Sequence, residues 1–153
     1  GGNVLIEDRH GYFPLNNDEN LTAIFAEAME AVSGPGSVAV NDHWGCGSTD
    51  MGDVSAIMPA IHPHASGTIG TGHGCDYYIA DKKLACLVPA QCLAVAADLL
   101  LRDDAAAAKK VIAEAHPRFG SKEEFLAAID KLCMDKDAVI YNEDGSITLD
   151  YCK

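Results

Sequence analysis

The feature that most constrains this fold is a run of apolar residues at positions 84–101. Leu84, Ala85, Leu87, Val88, Leu93, Val95, Ala96, Leu99 and Leu100 put apolar groups on nearly every side of a helix. A helix of that kind is expected to be central and buried. Asp81 stands where it can cap the helix. Pro89 is tolerated only near a first turn, so the regular helix is expected to begin after Asp81. The rest of the chain has to cover it.

The candidates for that covering follow from the local pattern. Residues 3–8 read as a short strand, with a turn at Arg9-His10-Gly11. Tyr12-Phe13-Pro14-Leu15 is extended, because proline disfavours helix in the residue before it. Asp18 caps a helix to about Val32, with Leu21, Ile24, Phe25, Ala28, Met29 and Val32 on one stripe. Ser33-Gly34-Pro35-Gly36 ends it, and residues 37–41 read as a short buried strand. Residues 54–58 fit a strand and a helix equally, and residues 64–74 are irregular, being rich in Gly, Ser and Thr. A second helix, rich in alanine, runs from Asp103 to about Ala115 and is stopped by His116-Pro117. Ser121-Lys122-Glu123-Glu124 is a capping box opening a third helix with Phe125, Leu126, Ile129 and Leu132. The tail alternates like a hairpin around Asn142-Glu143-Asp144-Gly145.

Composition limits the function classes. The chain has 153 residues, 48% of them hydrophobic, enough for one ordinary core. A net charge of −12 argues against a nucleic-acid partner and an anionic membrane surface, since both call for a basic face. No apolar run reads as long enough to span a bilayer, and no signal peptide opens the chain. Gly1-Gly2-Asn3 lacks a methionine, as expected of a chain that begins inside a longer protein or has lost residues to processing. The six cysteines form no CxxC pair, which disfavours a structural zinc knuckle. Cys86 and Cys92 read as small buried hydrophobes, and a reducing cytoplasm is the simpler setting. His10 and His116 lie beside turns and are expected to be solvated.

The chemistry is concentrated in Gly47-Ser48-Thr49-Asp50-Met51-Gly52-Asp53-Val54-Ser55, followed by Pro59-Ala60-Ile61-His62-Pro63. His43, His62, His64 and His73 lie nearby, and Trp44 precedes the run as a core anchor or a pocket wall. Asp50, Asp53, His62, His64 and His73 offer oxygen and imidazole ligands for zinc, without the spacing of a compact motif. The alternative is a polar loop whose carboxylates cap backbone amides. Ser48 and Ser55 lack a nucleophile elbow, and the Gly70-Thr71-Gly72-His73-Gly74 loop lacks the ending of a phosphate loop.

These residues resemble a family. The stretch from Gly47 to Ser55 with Pro59-Ala60-Ile61-His62-Pro63 is similar to the zinc amidohydrolases of the aminoacylase and carboxypeptidase superfamily, nearest to the aminobenzoyl-glutamate hydrolase-like branch and related dipeptidases. His73-Gly74-Cys75-Asp76-Tyr77-Tyr78-Ile79-Ala80-Asp81 with Pro89-Ala90 is a second match, and Gly11-Tyr12-Phe13-Pro14-Leu15 before a helix is a third. The resemblance implies an α/β fold, a partial three-layer α/β/α sandwich corresponding to the C-terminal part of the catalytic domain. It divides the chain into 1–15, the end of a lid-like segment; 16–101, the C-terminal half of the catalytic domain; and 102–153, a helical extension with a terminal hairpin. It implies hydrolysis of the amide bond of an N-acyl amino acid or small dipeptide-like substrate by metal-activated water, with zinc or manganese as the metal. His73 would be a metal ligand. Ser48, Thr49, Asp50, Asp53, Ser55 and His62 would line the site or hold its geometry. The general base and the other ligands belong to the half of the family pattern that has no counterpart here. A companion chain or a homo-oligomer is the expected partner, in the cytoplasm. The competing expectation is a non-catalytic small-molecule or metal-binding module of the same origin.

Overall fold

The computed structural model describes residues 1–40 and 47–151. The expectations for His43, Trp44, Cys46 and Cys152, and for Asn41 at the end of the third expected segment, lie outside these residues. The architecture is mixed α/β. In order it runs β1 (Leu5–Asp8), α1 (Glu19–Ser33), α2 (Met51–Ile57), β2 (Thr68–Ile69), β3 (Tyr78–Ile79), a π-helical turn (Lys83–Leu87), α3 (Val88–Glu114), α4 (Lys122–Leu132), β4 (Met134–Asp137), β5 (Val139–Tyr141) and β6 (Ile147–Leu149). The strands form three antiparallel pairs, β1 with β4, β2 with β3 and β5 with β6.

The helix boundaries have local causes. Asp18 is extended (ψ 128°) and its carboxylate accepts from Leu21 N–H at 2.9 Å, which caps α1. Gly34, at φ 95°, ends α1 and donates to Glu30 O. The undecided stretch at 54–58 is helical. It stops because Met58, ahead of Pro59, is driven into extended backbone (φ −154°, ψ 158°). Asp81 Oδ1 accepts from Lys83 N–H and Leu84 N–H at 2.9 and 3.0 Å, as expected of a cap. Pro89 has no N–H to return to the preceding turn, and the backbone there widens, with Val88 N–H bonded to Lys83 O. Ser121 Oγ accepts from Glu124 N–H at 3.1 Å, and Glu124 accepts from Gly120 N–H at 2.9 Å, completing the capping box one residue early.

Two small cores result. In the first, α1 lies along α3 and buries Ala28, Ala96 and Leu99, with Ile24, Phe25 and Val95 packed around them. The second is aromatic. Phe13 meets Phe119 at 5.2 Å and Phe125 at 5.7 Å between ring centroids, and the Arg118 guanidinium lies 4.9 Å over the Phe13 ring. Each such ring pair adds about 0.5–1.5 kcal/mol beyond the area it buries. At the chain ends, buried Ala138 donates to Val4 O at 2.7 Å and accepts from Asp150 N–H at 2.8 Å, tying the β1–β4 pair to the β5–β6 hairpin.

Several expectations are corrected. The long apolar helix is not central: Leu84, Leu87, Leu93 and Leu101 are exposed, because α1 covers only one of its sides. An 18-residue window within Lys83–Glu114 has a mean hydropathy of 2.0, which by length and composition alone reaches the range of a membrane span, where the sequence suggested no such run. Residues 37–40 form no strand, and Val40 is 68% exposed. Cys86 is exposed, whereas Cys92 is buried and burial pushes its thiol pKa up. His10 is not solvated; it packs on Phe13 at 4.5 Å, with its side chain 12% exposed. β4 was not expected. Its alternation of half-buried and exposed residues is carried by Met134, Asp135, Lys136 and Asp137, too polar for a strand signal.

The accessible surface is 11018 Å² for 16.2 kDa. A compact monomer of that mass has about 7,500 Å². The chain is thus loosely packed, with many of its large apolar side chains left exposed.

The expected second helix is the distal part of α3, which is broken at residues 102–105. Arg102 is extended, and Asp103, Asp104 and Ala105 have φ of 54°, 57° and 56°. Left-handed backbone costs about 1–2 kcal/mol for an L-residue, and Ala105 has no polar side chain to offset it. Ala105→Gly is therefore expected to raise stability by about 1 kcal/mol, read as a higher urea midpoint. In a continuous helix the same change would lower it by a similar amount, so the sign of the shift decides.

Candidate functional site

The acidic segment is zipped to the segment before α1. Phe13 N–H donates to Asp53 Oδ1 at 2.9 Å, and His10 Nε2 lies 3.4 Å from the same oxygen. Asn16 N–H donates to Ser55 Oγ at 3.1 Å, and that hydroxyl donates to Gly52 O at 2.9 Å. Asp18 N–H donates to Ala60 O at 2.9 Å, and His62 N–H to Asn17 Oδ1 at 3.0 Å. Gly52 is buried with its Cα facing the Phe13 carbonyl, an approach that only glycine permits. Residues 10–18 and 52–62 thus form one unit, with α2 against α4 behind it.

This geometry assigns roles to the expected site residues. Asp53 is committed to a backbone amide. Ser55 is 2% exposed and has both its proton and a lone pair engaged, which fits a structural hydroxyl and not a nucleophile. Thr49 Oγ1 accepts from Met51 N–H and donates to Asp50 Oδ1, each at 3.3 Å, at the start of α2. Asp50 and Ser48 are exposed. His62 is half-buried beside the exposed His64, their ring centroids 5.5 Å apart. Both border an open cleft of about 220 Å³ with Asn17, Phe25, Met29 and Val38.

His73 stands apart from these contacts. It is exposed, with φ 63°, and its side chain makes no hydrogen bond among the described residues. The turn around it is held by other groups. Gly74 N–H donates to Thr71 O at 2.7 Å, Thr71 N–H to Asp76 Oδ2 at 3.2 Å, and Tyr77 OH to Thr68 Oγ1 at 2.9 Å. Gly67 O accepts from Ala80 N–H and Asp81 N–H at 2.9 and 3.0 Å, which fixes the β2–β3 hairpin to the start of the long helix. A histidine between two glycines, in backbone that glycine adopts more cheaply, is an outlier of the kind found at functional positions.

Among the described residues, no three His, Cys, Asp or Glu side chains converge on one point. Asp50, Asp53, His62, His64 and His73 are therefore not gathered into a complete ligand set by this chain. Sequence reasoning missed the part played by His10, Asn16 and Asn17. The cluster Asn16-Asn17-Asp18 was a visible signal, since side-chain amides and carboxylates ahead of a helix satisfy loop backbone.

Comparison with protein-family models, with curated proteins and with solved structures gives no match.

Proposed function

We propose that this chain is the C-terminal half of the catalytic domain of a metal-dependent amidohydrolase, acting on the amide bond of an N-acyl amino acid or a small dipeptide-like substrate. The observation that carries the reading is His73, an exposed imidazole held in left-handed backbone by a turn that other residues stabilise. Two further observations support it. The motifs at 11–15 and 47–63 that suggest the family are bonded to one another through Phe13 and Asp53, and the exposed leucines of α3 offer an apolar face for a partner to cover. That partner would complete the larger layered sheet, against which the open side of α3 would pack.

The donor set fits part of a metal site. His73 has an exposed imidazole on the β2–β3 turn and Asp50 an exposed carboxylate, while Asp53 and Ser55 hold the segment that carries Asp50. Bound zinc or manganese would supply a water activated for attack on the carbonyl. The residues of this chain would orient one ligand and shape the wall beside it; the base that takes the water's proton would come from the companion. A second reading, a non-catalytic binding module, is favoured by the engagement of Asp53 and Ser55 with backbone amides.

The test is to express the chain with the polypeptide that supplies the remaining ligands, whether encoded ahead of it or separately, and to assay N-acyl amino acids. Hydrolysis should be abolished by a chelator, restored by zinc or manganese, and reduced at least about 100-fold by His73→Ala. Chelator-insensitive behaviour, or full activity in His73→Ala, would favour the binding module.

A further inference from the structure

We infer that His62 and His64 form a bidentate chelate for a late divalent transition metal, at a place distinct from His73. The inference does not rest on the hydrolase reading. Side chains two residues apart in extended backbone point to the same side. Pro63 enforces that arrangement, since its ring fixes its own φ and drives His62 away from helical backbone. The two imidazole centroids stand 5.5 Å apart with their planes at 31°. A metal bound at about 2.0–2.1 Å from a ring nitrogen lies about 3.2 Å from that ring's centre, so two imidazoles at a tetrahedral angle have centres about 5.2 Å apart. The observed centroid spacing is close to that value.

The backbone beneath the pair is fixed. His62 N–H is held by Asn17 Oδ1 at 3.0 Å, and Ala60 O by Asp18 N–H at 2.9 Å. The backbone at His62 is therefore held in place. Two imidazoles are the whole donor set that the described residues offer here. The site accordingly leaves coordination positions open, beside the cleft walled by Phe25, Met29 and Val38, for water or a small ligand. Neutral nitrogen donors without carboxylates select nickel, copper or zinc over calcium or magnesium, which take oxygen ligands. The chain's charge of −12 favours any cation's approach.

The experiment titrates the full chain with Ni²⁺ alone by isothermal calorimetry near neutral pH. It uses wild type, His62→Gln, His64→Gln, the double variant and, as an exposed control, His116→Gln. A chelate predicts that either single substitution weakens the tightest Ni²⁺ event at least about 10-fold, that the double variant falls little further, and that His116→Gln leaves it unchanged. Equal binding in His64→Gln and wild type would overturn the proposal. So would single variants that each lose one independent site while the other keeps its affinity. His64 is exposed, so His64→Gln tests the chelate even if His62→Gln disturbs the fold.

Discussion

Gly52→Ala is expected to unfold the chain or to cost it at least about 3 kcal/mol, although the substitution puts the best helix former in place of a poor one inside α2. Helix propensity alone predicts a gain of about 1 kcal/mol. The packing reverses the sign. A Cβ on Gly52 would fall inside the van der Waals envelope of Phe13 O, with Phe13 C at 2.9 Å and Leu15 N at 3.5 Å. These are backbone atoms, so no rotamer change relieves the overlap. Phe13 cannot retreat, because its N–H is bonded to Asp53 and its ring is wedged against Phe119 and Phe125. If α2 retreats instead, the Asn16–Ser55 and Phe119–Ala56 hydrogen bonds break with it. Urea unfolding followed by far-UV circular dichroism measures the outcome. A midpoint equal to or above wild type would mean that residues 10–18 do not lie on α2 as described.

That joint shows which parts of the molecule were legible in the sequence. Caps and stops were, because their causes lie within four residues: Asp18, Gly34, Ser121 and the turn at Asn142-Glu143-Asp144-Gly145 each act on their immediate neighbours. The candidate residues Asp53 and Ser55 were legible as chemistry but not as partners. Their donors, Phe13 and Asn16, lie about forty positions away, and nothing periodic links the two segments. His10 was misread for the same reason: a turn residue is ordinarily solvated, and only the arrival of Asp53 and Phe13 covers it. Residues 37–40 carry an apolar strand pattern but find no strand beside them. A strand needs a partner for its backbone as well as an apolar side chain, and pattern reports only the second. The same distinction applies to α3, whose composition states that it should be covered and cannot state by what.

The open side of α3 gives the second large effect, and it separates the chain alone from the assembly that the proposed function calls for. Leu93 and Leu101, two turns apart on α3, are 61% and 66% exposed, while Ala96 and Leu99 pack against α1 and Cys92 is buried. In the isolated chain Leu93→Glu should change stability by no more than about 0.5 kcal/mol, since the new carboxylate meets water. It should also reduce self-association, by breaking an apolar strip and adding negative charge. Under the proposed function the same leucine is buried against the companion half. An unpaired carboxylate there costs several kcal/mol; α1 carries no Lys or Arg, and the α3 cations Arg102, Lys109 and Lys110 lie against Glu27, Asp104 and Glu114. Assembly, and with it amide hydrolysis, should fall by at least about 100-fold, whereas Leu93→Met should retain both. Sedimentation velocity on the chain alone and with its companion, beside the hydrolysis assay, reads the two arms together. If Leu93→Glu leaves assembly and activity intact, α3 is not the covered face.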